Sequence, residues 1–231
     1  MSEIVAVLFA RADSNYKTLP GCDVWDIDRD ARNWPGGAPV IAHPPCRAWG
    51  RLRAFAKPRD DEKDLARWAV DRIRQWGGVL EHPESSTLWV DKKLPRPGHR
   101  DQFGGWTLPI HQWWWGHRAQ KKTWLYIVGC QPADIPPMPF KLGKSDCRIR
   151  LDKRRADGSH IRKGDADFQP LLGDAEREHT PAEFAVWLCE LARICARRPR
   201  SEKVAPSPYF QPEDECRAKP ATKDNHEKEE V

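Results

Sequence analysis

Apolar residues in this chain come in short runs separated by polar turns, and only two stretches switch to a helical period. "EIVAVLFA" (3–10) is a continuous apolar run of strand length and predicts a buried strand. "ARADSNYKTLPG" after it reads as a loop closed by a Pro-Gly turn. "CDVWDID" (22–28) predicts a second strand, with Asp26 and Asp28 near its carboxyl end, and "PVIAHP" (39–44) a third that runs into a Pro-Pro corner. Across 60–78 the period becomes helical: Leu65, Trp68, Ala69, Ile73 and Trp76 recur on one face. Three acids open this segment, complementing the helix dipole, and Gly77 and Gly78 close it. "GGVLEHP" (77–83) then predicts a fourth strand. "KKTWLYIVGC" (121–130) is a strong strand, with "HQWWWGHRAQ" (111–120) as its expected hairpin partner. "HTPAEFAVWLCELARICARR" (179–198) predicts an amphipathic helix with Thr180 as N-cap and Pro181 at the first helical position.

Strands alternating with a crossover helix predict an α/β domain with a mostly parallel sheet and a C-terminal β-hairpin. In such sheets ligands bind outside the carboxyl ends of the strands. Asp26 and Asp28, the "HPPC" corner and "EHP" all fall there.

Composition narrows the class. With 231 residues, 39% hydrophobic and 32% charged, the chain predicts one catalytic-size domain (1–198) with a charged excursion at 141–173. From 199 to 231 the sequence is rich in Pro, Lys and Glu and predicts a disordered tail. No window is apolar enough for a transmembrane helix, and the acidic start lacks the form of a signal peptide. The expected location is therefore the cytoplasm. Seven scattered cysteines without a CxxC pair argue against a disulfide scaffold or a zinc ribbon, and no metal site is expected. The net charge of +5 permits a nucleic-acid partner without requiring one. The 12 tryptophans read first as packing residues, with a minority reading in which some stack on bases.

Cys46 taken alone reads as an inert small side chain. Three features shift that reading. It stands at a strand end, Pro44 and Pro45 fix its backbone, and Arg47, Arg51 and Arg53 lie close enough in sequence to stabilise a thiolate. Glu81 ends the next strand. If the two strands are neighbours, thiol and carboxyl face one crevice. Such a pair suits attack on a heteroaromatic ring, with sulfur adding to carbon and the carboxyl engaging a ring nitrogen.

"PPC" at 44–46, "EHP" at 81–83 and "QKKTWLYIVG" at 120–129, in that order, resemble the cytosine-C5 DNA methyltransferase family, and "REHTPAEFAVWL" (177–188) looks like a late segment of the same family. The resemblance spans roughly residues 1–190. It implies an abbreviated Rossmann-like methyltransferase sheet, with Cys46 as the nucleophile for C6 of a flipped-out or single-stranded cytosine and Glu81 binding the base edge. It implies S-adenosylmethionine as methyl donor, held by Phe9, Asp26, Asp28 and Pro44. DNA is the implied partner, met by Pro45, Arg47, Arg51, Arg53, Arg118, Gln120 and Lys122. A chain this short looks like a phage or prophage version of the family.

The sequence departs from the family in several places. Where the family has a Phe-x-Gly-x-Gly loop, this chain reads "LFARADSNYK", with Phe9 and no glycine. Only about a dozen residues separate the first two strands, short for a crossover helix. His82-Pro83 follows the glutamate in place of Asn-Val. Trp124 stands in the slot of the family's second arginine, which Arg118 or Lys121 would have to replace. These departures keep two alternatives open: a phage pyrimidine-modifying enzyme with another donor, and an inactive DNA-binding protein on a methyltransferase scaffold. A reading of "HPPC" as the Asp-Pro-Pro-Tyr corner of an amino-methyltransferase is disfavoured, because cysteine replaces the aromatic that would stack on the base.

Overall fold

A computed structural model describes residues 4–149 and 154–196. Six strands form one sheet: β1 (Val5–Leu8), β2 (Cys22–Trp25), β3 (Val40–Ala42), β4 (Gly78–Pro83), β5 (Trp106–His111) and β6 (Lys122–Val128). Their spatial order is β2-β1-β3-β4-β6-β5. β1 lies parallel to β2 and β3, and β3 to β4, whereas β6 runs antiparallel to both β4 and β5. The class is therefore α/β with a mixed sheet. The helices are α1 (Glu62–Trp76), α2 (Leu88–Asp91), α3 (Asp174–Glu178) and α4 (Ala182–Ala196).

Alternation along each strand sorts the core into two layers. Val5, Val7, Ile41, Val79, Leu125 and Ile127 point to one face, where Phe184, Ala185, Leu188 and Leu191 of α4 cover them. Ala6, Leu8, Val40, Ala42, Leu80 and Tyr126 point to the other, against Ala66, Ala69, Val70 and Ile73 of α1. Burial on both faces explains why β1 and β3 read as unbroken apolar runs. Gly78 has a structural reason: its φ is 119°, and a Cβ there would stand 2.0 Å from the Val40 carbonyl oxygen. Only glycine lets α1 end and β4 start this close to β3.

The hairpin exists, but its first strand is not the expected one. Residues 106–111 pair with β6, while Gln112–Trp115 form a 3-10 turn closed by Gly116 at φ 94°. Pro109 lies inside β5 and obscures it in the sequence; an edge strand tolerates a proline because one side of it has no partner. The β1–β2 connection carries a single 3-10 turn, Asn15–Thr18, and no α-helix, as its length implied. The described residues of the 141–173 excursion are largely exposed yet anchored: Cys147 and Leu172 are buried against Ala119. The predicted tail, 199–231, lies outside the described residues. No helix among the described residues is long and apolar enough to cross a membrane.

Candidate functional site

The chain leaves β1 toward β2 on one side and returns to β3 on the other. The connections that follow β1 and β3 therefore run to opposite sides, and a crevice opens between them. A cleft of about 700 Å³ occupies this place. Its walls include Phe9 after β1, Asp26 after β2, Pro44, Pro45 and Cys46 after β3, and Glu81 on β4. The sequence placed these residues at separate strand tips; the fold brings them to one cavity.

Glu81 is the most elaborately held of them. It is buried, and a hydrogen bond of 3.0 Å links its Oε2 to His43 Nδ1. An ionised carboxylate only accepts, so His43 Nδ1 carries a proton and donates. In the neutral imidazole Nε2 is then an acceptor, and it lies 3.0 Å from the Tyr16 hydroxyl. Burial, then the charges of Cys189, Glu81 and Cys22, raise the Tyr16 phenol well above its ordinary range, so it keeps its proton and can donate. On the other oxygen, Gln112 Nε2 donates to Oε1 at 2.9 Å and to Thr123 Oγ1 at 3.1 Å. Burial by itself would raise the Glu81 pKa. The charge of Lys121 and the hydrogen bond from His43 outweigh it and bring the value down to about 2. Glu81 is thus an anion at neutral pH, suited to accept from an amine; it is not a proton donor in waiting.

Cys46 sits at the mouth, exposed, in a turn whose Trp49 and Gly50 amides bond its carbonyl at 3.0 and 2.8 Å. Its thiol is pushed above the ordinary cysteine value, by desolvation first and then by the Glu81 charge, with Lys121 opposing. The three nearby arginines do not activate it. Arg47 is drawn to the fully buried Glu62, with Nε 3.3 Å from Oε2. Arg51 and Arg53 are exposed and stand outside the cleft wall. The cation that reaches both Cys46 and Glu81 is Lys121.

Strand parity explains this exchange. Thr123 and Lys121 share the side of β6 that faces Glu81, whereas Gln120 and Lys122 have the opposite parity. Gln120 is exposed and donates to the Gly143 carbonyl at 3.2 Å, Lys122 is exposed with Glu84 3.9 Å away, and Arg118 pairs with Glu176 at 3.2 Å. None of the three lines the cleft. On the other side, Asp26 takes two backbone N–H bonds from Asp28 and Arg29, and Lys17 Nζ approaches within 2.6 Å. The lysine is the main reason its carboxyl titrates below the usual range. Asp28 is exposed and away from the cavity.

Sequence reasoning missed His43, Tyr16, Gln112 and Thr123. His43 adjoins the proline corner and continues the β1–β3 pairing, its N–H bonding the Leu8 carbonyl at 3.0 Å, so its position near Cys46 was a usable signal. Gln112 carried none, because the 3-10 turn that aims it was read as strand. His82 is buried beside Glu81 and its pKa falls to about 4; burial is the cause, against pulls from Glu81 and the Pro45 carbonyl. Phe9 has a φ of 62°, the left-handed backbone that a glycine adopts freely.

No protein-family model matches this chain, and no curated protein or solved structure matches it either.

Proposed function

We propose that the protein modifies pyrimidine bases of DNA by covalent catalysis, in the manner of a cytosine-C5 methyltransferase. The observation that carries this reading is the convergence of Cys46, Glu81, Phe9 and Asp26 on one cleft at the switch point of the sheet.

Each residue has a definable task. Cys46 gives its thiol proton to solvent at the exposed mouth and forms the Sγ–C6 bond. The C5–C6 π pair becomes a C5–C4 double bond and the C4–N3 π pair moves to N3, which takes a proton from solvent, so that C5 becomes a nucleophilic enamine carbon. The Glu81 carboxylate accepts from the exocyclic amine of cytosine. Its two oxygens have about four acceptor positions, and His43, Gln112 and Thr123 leave room for one more donor. An anion there favours a base that presents an amine over one that presents a carbonyl. Lys121 holds Glu81 ionised and eases ionisation of Cys46. After alkylation at C5, water takes the C5 proton, the C5–C6 double bond re-forms, and Cys46 leaves C6 as the thiolate. Because the thiol is raised, adduct formation is expected to accelerate as the pH rises through the neutral range.

S-adenosylmethionine, when bound, supplies the methyl electrophile. The cleft has a size ordinary for a ligand of that class. Phe9, Asp26 and Pro44 line the cleft and would hold it. A second reading, a different donor, is favoured by the lack of any glycine in "LFARADSNYK", where close backbone approach would need one.

The test is trapping on DNA containing 5-fluorocytosine, with mass spectrometry of nucleosides from DNA of expressing cells. A covalent adduct with wild type and none with Cys46→Ser supports the reading. Equal absence from both sinks it. A new base other than 5-methylcytosine, together with no heat of S-adenosylmethionine binding, selects the second donor reading.

A further inference from the structure

The turn that aims Gln112 at Glu81 also carries aromatic side chains that the cleft does not use. Trp114 lies between two rings: the His111 ring is 5.3 Å away at an interplanar angle of 30°, and the Phe140 ring 4.6 Å away at 27°. The result is a ladder of three stacked rings. Its middle ring is fixed, since Trp114 packs against the α4-side core and lies 5.9 Å from the buried Trp115. Its outer end is open: Phe140 is 70% exposed, and the neighbouring Leu142 is 94% exposed. Core packing accounts for Trp115 but not for an outer ring that covers almost nothing. Exposed phenylalanines are common singly; one held face-on by a fixed stack leaves a single flat face toward solvent.

Charge and position say what that face would meet. Lys141 and Lys144 follow Phe140 in the chain and are exposed, as is Lys122, the register partner of His111. β5 lies two strands from β4, about 10 Å across the sheet, and ends at the same edge. A nucleic-acid strand advances about 3.4 Å per stacked nucleotide. A target base in the cleft therefore leaves flanking nucleotides roughly three positions away at the level of the stack. We propose that the His111–Trp114–Phe140 ladder is a base-stacking platform for a single-stranded segment flanking the target, with Lys141 and Lys144 on its phosphates. Aromatic stacking tolerates any base, so the platform holds the strand without reading sequence. The proposal rests on the functional reading above only in taking nucleic acid as the substrate.

The experiment is fluorescence anisotropy of the full chain with a labelled oligothymidine and with a duplex, together with 5-fluorocytosine trapping by the same variants. Phe140→Ala is expected to weaken single-strand binding roughly tenfold and to leave the melting temperature unchanged, because the ring is exposed. Phe140→Leu should bind as poorly as Phe140→Ala, and Phe140→Trp should retain wild-type affinity. The Lys141→Ala/Lys144→Ala double variant should lower the log–log salt slope by about 1.4. Unchanged affinity in Phe140→Ala, wild-type affinity in Phe140→Leu, equal losses on duplex and single strand, or no oligonucleotide binding by wild type would each overturn the platform. A wild type that binds through Phe140 but forms no adduct retains the platform and removes the covalent chemistry. An adduct with no effect of Phe140 does the reverse.

Discussion

The two halves of the cleft are built on different principles. On the β4 side, Glu81 is buried and held from both oxygens, by His43 with Tyr16 behind it and by Gln112 with Thr123 behind it. On the β1–β2 side, polar groups satisfy one another: Asp26 is taken up by Lys17 and two backbone amides, and Arg32 by Asp30 at 2.7 Å. The first half is preorganised, with each donor fixed before a ligand arrives, so a ligand bound there loses little to reorganisation. The second half is self-contained, and a ligand there must compete with ion pairs already formed. This contrast predicts chemistry sensitive to single atoms on the β4 side and forgiving on the β1 side.

Glu81→Gln gives the largest effect expected. The amide nearly matches the carboxylate in shape but removes the charge that His43 and Lys121 both face. Trapping on 5-fluorocytosine DNA should slow by roughly 10²–10⁴-fold, whereas Asp26→Asn should change it far less. Similar losses in both variants would erase the contrast between the halves. The acid limb of stability gives a second reading of the same residue. The Glu81 carboxyl titrates at about 2 in the fold against 4.5 ordinarily. Its contribution is therefore present above about pH 4.5 and is lost as pH falls toward 2, and is worth on the order of 3 kcal/mol. Chemical denaturation followed across that window should be flatter in Glu81→Gln.

His82 sharpens the comparison from within the preorganised half. Its folded value of about 4 lies below the ordinary 6.5. The unfolded chain binds this proton from about pH 6.5 downward and the folded chain only near 4, so stability declines as the pH falls between those values. The loss follows from burial and is separate from the Glu81 window below it. His82→Leu keeps a buried side chain without the ionisation. Its unfolding free energy should vary less between pH 6.5 and 4, by up to about 3 kcal/mol across the window. An unchanged pH dependence would mean that His82 is already hydrated in the fold.

Most of the fold was legible because its signals are local. Unbroken apolar runs marked β1 and β3, and a 3.6-residue period marked α1 and α4. β5 was hidden by Pro109, which argues against a strand until the edge position is known. In the site, Cys46 and Glu81 were readable from strand ends and motif order. The partners of Glu81 were not, since they come from four separate segments and meet only through sheet order and register. The choice of Lys121 over Lys122 is a one-residue matter of parity, settled by where β6 sits on β4.

Phe9 tests the forgiving half and carries the smallest effect. Its φ of 62° is left-handed backbone, costly for a bulky residue by roughly 1–2 kcal/mol. Its ring meets Trp68 edge-on with centroids 5.9 Å apart, a contact worth about 0.5–1.5 kcal/mol. Phe9→Gly relieves the first and forfeits the second, so the net change in stability measured by denaturant should stay within about 1 kcal/mol. Phe9→Ala forfeits the ring and keeps the strain, and should be the less stable of the two. If S-adenosylmethionine is the donor and the side chain obstructs it, calorimetry should show tighter binding to Phe9→Gly than to wild type. If the ring is instead the surface on which the donor rests, both variants should bind more weakly, and the β1 side would prove as exacting as the β4 side.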